Sequence, residues 1–345
     1  MKYLFFISDI QDIWLFSYLM ERLESYKICY EKTGKITSPH NFIDKDSESN
    51  FRFCGIEDEK FIKEFEECDY FITKEFLPFT EEFEGSEKII GISWVGETIA
   101  KTHDLTPNAP PNPKKIIRGC NRFYIDKNLK EFYDDVNFKS IPTNPKYYFL
   151  NDFSREELCE SIGLDPNGKY FTIFMNPNCF QGEESERNTR IMEHALFTGK
   201  NLGYECIVKN KLKHGLWSKE TVPHDYFCDG SPLSSKYHVG IILQAISEFS
   251  IGFATCASIE SEIIGSRFIS VWDSKHKIES RDKIFQSIKE VGNAYRWAKS
   301  DNVFNICTSD RVEDIFKSLV EFIKESKHRD FSNKIPIDPF LESLE

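Results

Sequence analysis

The chain has 345 residues, long enough for two domains each with a sizeable core, and at 40% hydrophobic and 29% charged residues its composition is that of a folded globular protein. A formal net charge of −12 argues against a nucleic-acid binder, because neutralising phosphates requires a basic surface or a strong basic stripe. The ten cysteines contain no C-x-x-C pair and no Cys/His ligand spacing, which speaks against zinc and for reduced thiols in the cytoplasm; no apolar run reaches membrane-spanning length.

Residues 3–7 read as a buried strand and 11–23 as an amphipathic helix, with apolar positions at Ile13, Leu15, Phe16, Leu19, Met20 and Leu23. A second strand at 27–30 completes a β-α-β opening, whose first turn, residues 8–12, lacks the G-x-G-x-x-G dinucleotide fingerprint. Residues 34–56 are polar and irregular in pattern. A charged helix at 57–67, strands at 70–73 and 88–94, a proline-dense loop at 104–113, a strand at 114–118 and a helix at 126–134 follow. Alternation of this kind predicts a parallel sheet covered on both faces.

Residues 141–170 read as a domain junction. Prolines 142 and 145 hold the segment 141–145 extended, and Ser154 with Glu157 forms a capping box for a helix ending at Gly163. A turn at 165–168 leads into a strand at 170–175. Alternation then restarts, with a helix at 184–201, strands at 205–209 and 225–228 and a helix at 237–248. Residues 249–273 are a strand ending at Phe253, a turn of small residues at 255–258, a short helix stopped by Gly265 and a strand at 267–272. Helices at 282–290 and 310–325 precede a polar tail. The expected division is 1–150, 151–328 and a tail at 329–345 that crosses back to the first domain.

Several groups fall at the carboxyl ends of these strands, where open α/β sheets bind ligands. Lys209, Lys211, Lys213 and His214 follow one strand and suit a diphosphate held by point charges; a solvated lysine loop is the plain alternative. Asn176 and Asn178 follow the strand one unit earlier, as ligand contacts or simply as a turn. Thr255 and Ser258 lie where helix N–H groups can face an anion, or cap the helix, and Glu260 is in its first turn. In the first half, Asp9, Asp12, Glu97, His103 and Asp104 follow strand ends; one of them could take a proton from an acceptor hydroxyl, and each acid could equally be a cap or surface residue.

The segment 141–174, IPTNPKYYFLNDFSREELCESIGLDPNGKYFTIF, resembles the interdomain segment of GT-B-fold glycosyltransferases and of their relatives, the UDP-N-acetylglucosamine 2-epimerases and CDP-glycerol phosphotransferases. VKNKLKH at 208–214 is similar to their basic strand end, and TCASIESEIIGSRFISV at 255–271 to their hydroxyl-acid-glycine element. The resemblance implies an α/β fold of two Rossmann-like domains facing a cleft. It matches Glu260 to the acid that holds the nucleotide ribose, Thr255 and Ser258 to the turn at the diphosphate, and Lys209 to Lys213 to the basic strand end. Arg267 stands where many relatives have proline, and Gly252 occupies the position of the first acid in the retaining enzymes' pair. The expectation is an inverting, metal-independent glycosyltransferase without a cofactor, moving a sugar from a nucleotide sugar to a hydroxyl acceptor such as a glycan. A nucleotide-sugar epimerase and a non-catalytic nucleotide-sugar-binding protein are the alternatives.

Overall fold

The computed structural model describes residues 1–7, 12–31, 50–53, 58–74, 88–92, 115–118, 137–140, 145–182, 184–210, 217–230, 235–253, 255, 257–272, 300–307 and 312–338. The chain divides into two compact units, the first made of Met1–Phe149, Lys236–His238 and Ile335–Glu345, the second of Leu150–Ser235 and Val239–Lys334. The expected helices at 126–134 and 282–290 and the proline-dense loop at 104–113 lie outside the described residues.

In the first unit, strands β1 (Tyr3–Ile7), β2 (Tyr26–Glu31), β3 (Asn50–Phe53), β4 (Tyr70–Lys74), β5 (Ile89–Ile92), β6 (Lys115–Arg118) and β7 (Asn137–Ser140) form one sheet. Its order is β3-β2-β1-β4-β5-β6-β7, and every neighbouring pair is parallel. Leu4 and Phe6 on one face of β1 share a core with Phe61 and Phe65 of helix α2 (Glu59–Glu67), whose first turn is capped by Asp58. Phe5 on the other face meets Phe16 of helix α1 (Asp12–Met20), with ring centres 5.3 Å apart.

Helix α1 departs from the amphipathic expectation, because every one of its residues is buried. The segment Lys236–His238 and a 3-10 helix at Pro145–Asn151 account for part of that cover. The His238 ring sits 4.5 Å from that of Trp14, Ser17 Oγ donates to the Lys236 carbonyl at 3.3 Å, and Tyr148 meets Tyr18 edge-on at 5.7 Å. A helix covered on its outer side as well as its inner one can be apolar all round. Pro145, expected in extended chain, opens that 3-10 helix, where its fixed φ and missing N–H do no harm.

The second unit holds β8 (Tyr170–Phe174), β9 (Glu205–Lys209), β10 (Tyr226–Cys228), β11 (Phe249–Phe253), β12 (Phe268–Trp272) and β13 (Val303–Cys307), in the order β10-β9-β8-β11-β12-β13, all parallel. Its helices are α3 (Arg155–Ser161), α4 (Ser185–Asn201), α5 (Trp217–Thr221), α6 (Val239–Ile246), α7 (Ala257–Ile264) and α8 (Val312–Lys324). The Ser154–Glu157 capping box that begins α3 is present in both directions. One face of the sheet carries Phe171, Ile173, Ile251, Phe253, Ile269 and Val271 into a core shared with α4 and α8. The alternating positions Thr172, Ser250 and Ser270 are equally buried but polar, and Thr172 shares a 2.8 Å hydrogen bond with Ser247 at the end of α6.

Helix α4 approaches β8 so closely that a Cβ on Gly199 would stand 2.8 Å from Cε1 of Phe171. That ring is fully buried and stacked on Phe249 at 5.0 Å, so it cannot swing away. Gly199→Ala gains about 1 kcal/mol of helix propensity but overpacks a closed core at about 1–3 kcal/mol. The expected net effect is destabilisation, read as a lower urea midpoint at unchanged m-value.

Candidate functional site

The strand order of the second unit reverses between β8 and β11, and parallel α/β sheets bind ligands at the carboxyl ends of the strands beside such a reversal. Asn176, just past β8, is buried there and donates from Nδ2 to the carbonyl of Phe253, the last residue of β11, at 3.4 Å. The bond ties the two strand ends together. Pro177 then starts a 3-10 turn, Pro177–Phe180, that leaves Asn178 exposed.

On the other side of β8, Lys209 is the last residue of β9. It is half-buried, with Nζ 3.2 Å from the Asn210 carbonyl to which it donates and 5.8 Å from the ring centre of Phe174. Asn210 is buried and accepts a 2.8 Å bond from Ser218 Oγ at the start of α5. The chain leaving β10 can pass over this carbonyl only because residue 230 is glycine: its φ is +75°, and a Cβ there would lie 2.5 Å from the Asn210 oxygen. Burial pushes the Lys209 ammonium below its ordinary pKa of 10.5, while Cys228, Glu260 and Asp229 pull the other way. An entering anion would act in the same direction as those acids.

Thr255 lies between β11 and α7 and packs against Gly252, where a Cβ would stand 2.5 Å from Cγ2 of Thr255 and 2.8 Å from Cζ of Phe268. Thr255 Oγ1 accepts from the Ala257 N–H at 3.3 Å, and its carbonyl accepts from Ser258 Oγ at 3.2 Å. Both hydroxyls thus brace the turn, and Ser258 is completely buried. Glu260, in the first turn of α7, is 6% exposed and accepts from Gln244 Nε2 of α6 at 3.3 Å. Gln244 in turn accepts from Ser261 Oγ.

Asn176, Lys209, Thr255, Ser258 and Glu260 therefore share one sheet edge in the second unit, with Lys209 and Glu260 near enough to influence each other electrostatically. Asp12 is in the first unit, buried at the start of α1 and just after β1, beside that sheet's own reversal between β1 and β4. Asp9, Glu97, His103, Asp104, Lys211, Lys213 and His214 lie outside the described residues. Gln244 and Asn210 are additions that the motif reading missed. Gln244 carries a signal in hindsight: it is the only side chain with a hydrogen-bonding group in Val-Gly-Ile-Ile-Leu-Gln-Ala-Ile, and a buried amide requires partners. Thiol chemistry has no support from Cys68 or Cys206, whose pKa values burial pushes up to about 11 and about 12.

No known protein family matches the chain, and no curated protein matches its sequence. Solved structures do match. The wall teichoic acid polymerase TagF superposes with a TM-score of 0.54 at 10% identity, over 99% of this chain and 87% of that one. A variant of the same polymerase gives 0.51 at 11% identity, over 97% and 84%. The chain has the GT-B glycosyltransferase fold. A GT-B heptosyltransferase, WaaC of E. coli with ADP, matches at 9% identity over 94% of this chain and 99% of that one, with a TM-score of 0.40. Among the described residues of this GT-B chain, no helix is long and apolar enough to cross a membrane.

Proposed function

We propose that the protein is a nucleotide-sugar-dependent glycosyltransferase whose second unit holds the donor. The observation that carries the reading is the placement of Lys209, at the end of β9, and Glu260, in the first turn of α7, at the carboxyl edge of the second sheet, on either side of the strand reversal that Asn176 bridges. Glu260 accepts from a ribose hydroxyl. Lys209 and the N–H groups at the start of α7 take the negative charge of the diphosphate, which grows as the bond to the sugar breaks. Lys211, Lys213, His214, Asn178 and the Thr255–Ser258 turn complete the donor side in this reading. Countercharge from the protein makes a metal unnecessary to the proposal, and no cofactor enters it.

A base, for which Asp9, Asp12, Glu97, His103 and Asp104 are the candidates, deprotonates the acceptor hydroxyl, which attacks the anomeric carbon in line. Inversion is favoured because the position of a retaining enzyme's first acid is Gly252, where even a methyl group would collide with Thr255 and Phe268. The acceptor is a hydroxyl compound of the glycan class, and the buried thiols Cys29, Cys68, Cys159 and Cys206 suit a reducing cytoplasm.

Glu260→Gln tests the donor site while keeping the shape of the side chain. Loss of a hydrogen bond to a charged group weakens nucleoside-diphosphate binding by about 1.5–3 kcal/mol, roughly 10- to 150-fold in Kd. Calorimetric titration measures this, and unchanged affinity in a folded variant removes Glu260 from the site. A donor panel separates the reactions: nucleoside diphosphate released from a nucleotide sugar supports transfer, and a new sugar isomer without release supports epimerisation. Nucleoside monophosphate released from a nucleotide-activated alcohol supports phosphotransfer of the kind implied by the resemblance to CDP-glycerol phosphotransferases.

A further inference from the structure

We infer that Gln244 is a positioning residue for Glu260: its side-chain amide aims the carboxylate and thereby sets the preference for ribonucleotides over deoxyribonucleotides. This rests on the reading of Glu260 as the ribose acid. Helix α6 is otherwise built of Val239, Gly240, Ile241, Ile242, Leu243, Ala245 and Ile246, and every residue in it is buried. A fully buried amide in such a helix is costly unless both of its ends are satisfied. Both are, and by consecutive residues of α7: Nε2 donates to Glu260 Oε2 at 3.3 Å, and Oε1 accepts from Ser261 Oγ.

That arrangement has a direction. Turning the amide over would set its oxygen against the carboxylate, acceptor to acceptor, so the charge of Glu260 selects the orientation, and the Ser261 hydroxyl, which can donate or accept, completes it. The Ser261 end is itself anchored, because Asn302 Nδ2 donates to the Ser261 carbonyl at 2.9 Å and also to the Ser266 carbonyl. A glutamate side chain has three rotatable bonds, and holding one oxygen from within the protein narrows the bearings open to the carboxylate as a whole. An acid held in this way recognises a hydroxyl at one place. The same acid left to rotate gives charge near the ligand without discrimination.

Paired affinities test the inference. Nucleoside diphosphates with ribose, 2′-deoxyribose and 3′-deoxyribose are titrated into the full-length protein and into Gln244→Met, which keeps length and volume but has no donor. The wild type is expected to prefer ribose over at least one deoxy analogue by roughly tenfold or more. Gln244→Met brings that ratio close to one by weakening ribose binding while deoxy binding stays put. Gln244→Glu sets two carboxyls against each other, so the preference returns as pH falls and the pair takes up a proton. Should Gln244→Met fail to fold, Ser261→Ala removes only the outer hold on the amide and lowers the same ratio severalfold. A folded Gln244→Met that keeps the wild-type ratio, or weakens all three ligands in parallel, overturns the inference and leaves Glu260 in place. A wild-type protein that binds the diphosphates without any ribose preference overturns the ribose-acid reading, and this inference with it.

Discussion

Lys209→Met is expected to weaken nucleoside-diphosphate binding by about 2–5 kcal/mol, roughly 30- to several-thousand-fold in Kd, and to abolish a rise of stability with pH in the free protein. The two effects have one origin. Lys209 ends β9 with its ammonium held between the Asn210 carbonyl and the ring of Phe174, and burial disfavours its charged form more than Cys228, Glu260 and Asp229 favour it. The folded-state pKa therefore lies below 10.5, and between the two values the unfolded chain holds a proton that the folded chain has shed. Wild-type stability consequently rises with pH through that window. Lys209→Met has no ammonium to shed, so it lacks that rise. Chemical denaturation at a series of pH values reads the stability arm, and calorimetry with a nucleoside diphosphate reads the binding arm. A variant that loses stability and keeps its affinity would identify Lys209 as an ordinary packing residue.

Arg155→Met carries the largest expected loss of stability. Arg155 is 9% exposed at the start of α3 and donates to three carbonyls: Ile246 at 3.2 Å, Pro166 at 2.7 Å and Gly168 at 2.5 Å. Ile246 is the last residue of α6, whose terminal carbonyl has no partner within the helix, and Pro166 and Gly168 form the turn that delivers β8. One guanidinium thus fixes where α6 ends and where β8 begins. Methionine fills the volume but leaves the acceptors unpaired, at about 1–3 kcal/mol for each one that water cannot reach. A total of about 3 kcal/mol or more is expected, measured as a lower denaturant midpoint at unchanged m-value. Arg155→Lys recovers only part of it, since an ammonium cannot span the three carbonyls as a planar fork does.

The second unit was legible in the sequence because its signals are local and agree with one another. Ser154 and Glu157 announce a capped helix, the run 170–174 is wholly apolar apart from Thr172, and Gly265, at φ +71°, ends α7 where a helix stop was read. The misses are of a different kind. β3 and β7 are four-residue edge strands, Asn-Phe-Arg-Phe and Asn-Phe-Lys-Ser; the first falls in the stretch 34–56 whose pattern is irregular and the second in a stretch without an assignment, because a strand at the margin of a sheet needs little apolar surface. β13 at Val303–Cys307 went unread because Asn305 breaks its apolar run, and Ser270, its partner in register, is polar too. Helix α6 was expected from 237 but starts at Val239, since Tyr237 is committed elsewhere, stacked 4.6 Å from Phe149 and donating to Glu21 at 2.8 Å.

The candidate site was legible in its residue types and not in its connections. Lys209, Asn176 and Glu260 could be named from strand ends and a first helical turn, but their common edge depends on the strand order β9-β8-β11, which no local pattern encodes. Gly252 and Gly230 show the same limit. Each is glycine because of a neighbour distant along the chain or across a turn: Phe268 and Thr255 for the first, Asn210 for the second.

The central claim is that the carboxyl edge of the second sheet binds a nucleoside diphosphate through Lys209 and Glu260. Isothermal titration of the wild-type protein, Lys209→Met and Glu260→Gln against UDP, GDP, CDP and ADP tests it most directly. Saturable binding of at least one of the four by the wild type, weakened at least tenfold in both folded variants, is the predicted result. Wild-type affinity retained in both variants, or no binding of any of the four by the wild type, would contradict it.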